Sequence, residues 1–225
     1  MGCIMLKLVQ GILDFRKLHL SEYRDRFSHL AMGQTPDSLF ITCSDSRVVP
    51  NLFTSTHPGH LFVVRNAGNI VPPHNILSSE RASIEFAVSQ LPIENIIVCG
   101  HSNCGAMHAV MEGIDKLPEG LKYWLSFGKE AKDCESVERL AKENILKQIE
   151  HLKTFPVIQK KMEQGLLRLW GWYFDVGTGD VFAYEEDLQS FLLIDSVEGE
   201  YILSRLRQLH EKNVTMQTNQ LTPNP

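Results

Sequence analysis

At 225 residues, with 43% hydrophobic and 22% charged content, the chain is long enough for one substantial core and has an ordinary globular make-up. Its net charge of −5 and pI near 6.0 argue against a nucleic-acid binder or a polybasic membrane protein. No apolar run approaches the roughly 20 residues that a spanning helix needs.

The opening "MGCIMLKLVQGILDF" has one early lysine, no clean apolar core and an acidic Asp14, so it reads as mature protein rather than a signal peptide. Gly2 suits a myristoylation signal, but Leu6 stands where Ser or Thr belongs. Residues 3 to about 31 are expected to be helical, with Leu6, Val9, Phe15 and Leu18 as apolar punctuation. "SLFITCSD" and "HLFVVRNAG" read as short buried strands, separated by "NLFTSTHPG", which Pro58 and Gly59 break. "SSERASIEFAVSQL" is a helix with Ser79 as its expected N-cap and Ile84, Ala87, Val88 and Leu91 on one face. "IENIIVCG" is the next strand, apolar on both sides, and completes a βαβ unit that requires a parallel sheet.

A long helix is expected over about 136 to 153, on a stripe of Val137, Leu140, Ala141, Asn144, Ile145, Ile149 and Leu152; Ser136 with Arg139 gives only a partial capping signal. Pro156 restarts a helix at its first turn. "LRLWGWYFDVGTGDVFAYE" holds two strands joined at Gly177–Asp180, and a final helix rests on Ile202, Leu203, Leu206 and Leu209. The expected fold class is α/β: a mostly parallel β-sheet flanked by helices, with an N-terminal helical arm over 1–31 and an edge hairpin. One domain spans 1–213, and the polar tail 214–225 reads as disordered.

The five cysteines, Cys3, Cys43, Cys99, Cys104 and Cys134, are odd in number and irregularly spaced. That pattern does not suit a secreted disulfide scaffold and favours a cytoplasmic protein. Cys43-x-Asp45-x-Arg47 and His101-x-x-Cys104 each follow a parallel strand, at the sheet edge where ligands gather. Two thiolates and an imidazole are ligands that zinc prefers, with water or Asp45 in the fourth position. His-x-x-Cys alone is weak; the pairing of the two clusters at strand ends is what points to zinc. Cys99 reads as a small core residue, and Cys3 and Cys134 as incidental.

"CSDSR", "RNAGNIV" and "GHSNCG" in that order resemble the signature series of the β-class carbonic anhydrases, over about Gly33 to Tyr184. The resemblance implies a lyase with one zinc per subunit on Cys43, His101 and Cys104, and Asp45 with Arg47 as a functional dyad. Reversible hydration of carbon dioxide to bicarbonate would follow from attack by zinc-bound hydroxide. Two thiolates leave a metal less acidic than imidazoles do; an ionised Asp45 would compensate by aiming the hydroxide, and Arg47 would hold Asp45 charged. Asp45 has a second implied role, as fourth zinc ligand in a closed site.

Gln34 and Gly105 match substrate hydrogen-bonding positions, Phe62 and Ala67 match apolar walls, and Phe86 stands where plant-type members carry a tyrosine. Phe40 replaces the tryptophan of the bicarbonate-inhibited bacterial subgroup; with Gln34 it favours the open type, although Arg65 matches that subgroup's arginine. Further implications are a homodimer or higher homo-oligomer with a shared pocket, no nucleic-acid partner and no membrane. His108 is the nearest histidine for proton transfer and receives no role. Trp170, Trp172 and Tyr173 read as packing. Three alternatives stand beside this reading: a carbonyl sulfide or carbon disulfide hydrolase on the same scaffold, a non-enzymatic zinc protein, and a thiol-redox protein.

Overall fold

The apolar runs expected as strands pair as neighbours in the computed structural model, which describes residues 4–130, 134–195, 197, 199–204 and 207. The chain divides after Thr35 into two compact units. The first holds α1 (Ile4–Asp14), a π-helical turn over Phe15–His19 and α2 (Leu20–Leu30). No residue of α1 or α2 is buried, and the apolar residues Ile4, Leu6, Leu8, Ile12 and Leu13 face outward. Phe15, Tyr23 and Phe27 cluster where the two helices meet, with ring centroids 6.0–6.5 Å apart. No helix among the described residues is long and apolar enough to cross a membrane.

The second unit is built on one sheet. Its elements in chain order are β1 (Ser38–Cys43), α3 (Pro50–Phe53), β2 (Leu61–Asn66), α4 (Ser79–Gln90), β3 (Asn95–His101), α5 (Gly105–Glu112), α6 (Glu119–Leu125), α7 (Val137–Leu152), α8 (Pro156–Glu163), β4 (Arg168–Phe174), β5 (Val181–Glu185) and β6 (Ser190–Leu193). The strand order is β2-β1-β3-β4-β5-β6. The first four strands are parallel and the last two antiparallel, so the hairpin forms as expected, and β6 extends it to the edge. Residues 199–204 are helical, whereas Leu206, Leu209 and the 214–225 tail lie outside the described residues.

Alternation sorts each strand between two cores. Leu39, Ile41 and Cys43 of β1 join Ile96 and Val98 of β3 under the helical layer, with Leu140 and Ile145 of α7 and Ile158 of α8. Phe40, Ile97, Cys99 and Phe174 pack on the other face with Phe53, Trp170 and Trp172. Burial of Cys99 pushes its thiol up to about 12, consistent with a packing role. The N-cap of α4 is Ser78, whose side chain accepts from Arg81 N, one residue earlier than expected. Ser136 caps α7 by accepting from Arg139 N.

His151, near the end of α7, sits half-buried and donates Nδ1–H to Val71 O at 2.6 Å. Burial lowers its pKa below the ordinary 6.5, against the opposing pull of the Val71 carbonyl. Its folded form therefore binds fewer protons than the unfolded chain. The stability this supplies is complete above about pH 6.5 and fades as the pH falls through the lowered value. Urea unfolding between pH 7.5 and 5 should show falling stability, with a shallower decline for His151→Gln; equal slopes would contradict this account.

Candidate metal centre

β1 and β3 lie side by side and end at the same edge of the sheet. Cys43 closes β1, His101 closes β3, and Cys104 stands immediately before α5 as its N-cap residue. The ligand atoms of these three residues lie within 4.8 Å of one another, and all three residues are buried. The two sulfurs are 3.9 Å apart.

Each member is oriented by the backbone. His101 Nδ1–H donates to Ser102 O at 2.9 Å, which leaves the Nε2 lone pair directed away from that carbonyl. Nε2 is buried and has no hydrogen-bond partner. A buried ring nitrogen without a hydrogen-bond partner, beside two thiols, is placed to ligate a cation. The donor set of two sulfurs and one imidazole fits zinc. Cys43 Sγ accepts from Gly68 N at 3.4 Å, and the amides of Ala106 and Met107, in the first turn of α5, favour the ionised form of Cys104.

The thiols share a proton unequally. Cys43 is held well below the ordinary thiol pKa, first by the Cys104 thiol that donates to it, with His101 and the Gly68 amide adding to the effect against burial. Cys104 is correspondingly pushed far up, by Cys43 and then by burial.

The strand does not stay extended through "CSDSR". It ends at Cys43 and turns, with Val48 N donating to Asp45 O at 3.0 Å. The Asp45 side chain stabilises the turn by accepting from Arg47 N at 3.0 Å, so simple alternation fails beyond Cys43. Arg47 folds back onto Asp45 as a fork, donating Nε–H to Oδ1 at 2.9 Å and Nη2–H to Oδ2 at 2.7 Å. These bonds, with the nearby His101, hold the Asp45 carboxyl far below the usual range. Arg47 also donates to Asn103 O at 3.0 Å, tying the loop after β1 to the loop after β3. Asp45 Oδ2 lies 3.8 Å from His101 Nε2, so the dyad borders the metal group while facing Arg47.

Arg65 of β2 donates to the carbonyls of Cys43, Asp45 and Val48, at 3.2, 2.8 and 2.9 Å. Sequence reasoning met Arg65 only as a subgroup marker; this clamp depends on the β1–β2 register, in which Arg65 pairs with Thr42. The remaining expected site residues are more dispersed. Ala67 and Gly68 follow β2, whose last residue Asn66 pairs with Cys43. Gly105 opens α5. Phe62 lies four residues before Asn66, roughly 13 Å along the strand, and its ring meets the exposed Phe86 at 6.0 Å. Gln34 belongs to the N-terminal unit and is exposed. His108 is exposed on α5.

Residues 38–181 match the carbonic anhydrase family model. The chain belongs to the β-carbonic anhydrase family. It is 43% identical to a carbonic anhydrase of Synechococcus elongatus, over 79% of this chain and 70% of the relative. It is 38% identical to that of Pseudomonas aeruginosa, over 84% and 91%. The solved β-carbonic anhydrase CcaA superposes with a TM-score of 0.81 at 39% identity, covering 87% of this chain and 94% of its own. A Sordaria macrospora structure described as tetrameric gives 0.71 at 29%, covering 80% and 96%. As a member of this family the chain is an enzyme, a carbonic anhydrase of the lyase class.

This carbonic anhydrase depends on a glycine at position 68. Its φ of +82° is left-handed, and an added Cβ would lie 3.0 Å from the Ala106 Cβ and 3.2 Å from Met107 Cε. Gly68→Ala should lower folding stability by roughly 2 kcal/mol from backbone strain alone. Urea denaturation would check this; an unchanged midpoint would refute it.

Proposed function

We propose that this enzyme holds one zinc ion per subunit on Cys43, His101 and Cys104 and interconverts carbon dioxide and bicarbonate. The carrying observation is the buried, partnerless Nε2 of His101, grouped with two thiol sulfurs. When bound, zinc supplies the Lewis acidity that makes water nucleophilic near neutral pH. Cys43 and Cys104 serve as thiolates, and their backbone N–H donors moderate the charge they give up. Asp45 Oδ2, kept ionised by Arg47, accepts the hydrogen of the attacking water and leaves that oxygen's lone pair directed at carbon dioxide.

The other implied role of Asp45, as a fourth ligand, would require it to release Arg47; the three bonds between these residues support the open arrangement. Gln34, Gly105, Phe62, Ala67 and Phe86 remain the proposed substrate-facing set, some of them acting across a dimer interface. A small apolar substrate needs little beyond such walls. Two reduced thiols suit a reducing compartment, and the cytoplasm is the proposed location.

Stopped-flow hydration of carbon dioxide and metal analysis test the reading together. Wild type should carry one zinc and hydrate carbon dioxide, and Cys104→Ser should lose both properties. Asp45→Asn should keep zinc and lose between roughly tenfold and a hundredfold in kcat, the usual effect of removing a partner of the bound metal's shell. A folded, zinc-loaded wild type without hydration would overturn the function. Cys104→Ser with full zinc and activity would overturn the ligand set.

The proposed assembly is a homodimer or a larger homo-oligomer, with α1 supplying part of the interface. Support comes from its outward apolar face, unusual for a helix left in water, and from the tetrameric Sordaria relative. Leu8→Glu combined with Ile12→Glu should lower the sedimenting mass; an unchanged mass would remove α1 from the interface.

A further inference from the structure

The peptide joining Ala67 to Gly68 lies between an indole and a thiol. Trp124, on α6, donates Nε1–H to the Ala67 carbonyl at 2.8 Å. At the other end of that peptide, Gly68 N–H donates to Cys43 Sγ at 3.4 Å. A peptide is a delocalised unit, so a donor on its oxygen draws electron density from its nitrogen and makes the N–H a stronger donor. The two hydrogen bonds therefore reinforce each other through one peptide group.

The next carbonyl is fixed as well. Gly68 O accepts from Asn144 Nδ2 at 3.0 Å, and Asn144 is fully buried on α7. Asn144 Oδ1 is held by Lys129 N at 3.0 Å and Gln148 Nε2 at 2.9 Å. Three residues past Gly68, Gln148 Oε1 accepts from Val71 N at 2.9 Å. Ala106 and Met107 crowd Gly68 from the remaining side. The peptide has little room to rotate away from the sulfur.

We propose that Trp124 is a positioning residue for the metal centre, acting through the Ala67–Gly68 peptide to strengthen the N–H···S bond and draw electron density off Cys43. This rests on the reading of Cys43 as a metal ligand. A sulfur that donates less leaves a two-thiolate metal more acidic, which is the direction this chemistry needs. If the indole only filled space, phenylalanine would serve as well.

Cobalt(II) substitution gives a readout independent of turnover, because the sulfur-to-cobalt charge-transfer band moves with the electron density on sulfur. In Trp124→Phe the band should shift to longer wavelength at full cobalt content, and kcat of the zinc enzyme should fall a few-fold. Trp170→Phe is the matched control: it loses an indole bond, Nε1 to Asn95 Oδ1 at 3.0 Å, on a strand position paired with Ile97 and away from the metal group. Its band should stay in place. An unmoved band in folded Trp124→Phe overturns the proposal, as does an equal shift in Trp170→Phe.

Wild type offers a second measurement should Trp124→Phe not fold. In the cadmium-substituted protein, the Gly68 amide proton should show scalar coupling to the metal through the N–H···S bond. Absence of that coupling also overturns the proposal. Failure of the ligand reading looks different: the charge-transfer band would be missing from wild type, or unaffected by Cys43→Ser.

Discussion

Two sulfurs 3.9 Å apart in a buried site constrain everything around them. Were both ionised with nothing between them, they would repel by about 4 kcal/mol at an effective dielectric of 20. A divalent cation held between them would remove that repulsion. The sheet supplies the geometry: Cys43 comes from the helix-covered face, His101 shares the strand face of Ile97 and Cys99, and Cys104 stands at the start of α5. Three directions of approach over one sheet edge suit a tetrahedral ion and leave one direction open.

That open direction borders the Asp45–Arg47 dyad, whose state is set by bonds rather than by burial. Arg47 is largely exposed, so the attraction between the charges alone would be screened. Orientation comes instead from a two-pronged side-chain contact, the Arg47 amide on the same carboxylate, and the Asn103 carbonyl beneath the guanidinium. Arg65 fixes the other side of the turn through three carbonyls. Asp45 thus keeps its charge and its distance from His101 because two arginines hold one short loop from opposite sides.

Much of this was legible in the sequence, and the reasons differ by element. β1, β3 and α7 declare themselves through long apolar periods, and Pro156 and the Gly177–Asp180 turn mark boundaries by fixed backbone preferences. The grouping of Cys43, His101 and Cys104 was legible because Cys and His at strand ends have few structural uses. α3, α5, α6 and β6 went unassigned: elements of four to eight residues draw their stability from tertiary packing more than from local preference. Ser78 and Ser79 are equivalent as a cap until the chain's direction of entry is known. The bend after Cys43 is decided by an Asp side chain and not by the strand period. Trp124 gave no signal and Arg65 none for its clamp, since their partners are carbonyls that any residue possesses.

Asn144 shows how a local irregularity carries long-range information. It lies within the apolar stripe of α7, where a polar amide interrupts the pattern, and it is fully buried together with Gln148. Burying two amides costs free energy unless each is satisfied, and here both donate and accept within the protein. Apolar residues at these positions would pack α7 against the sheet without specifying where the loop after β2 must stop. The amides specify it: Gly68 O and Val71 N meet them only in one register. That register puts Gly68 N–H on Cys43, so the hydrogen bond to this thiol is set by a helix more than 70 residues further along the chain.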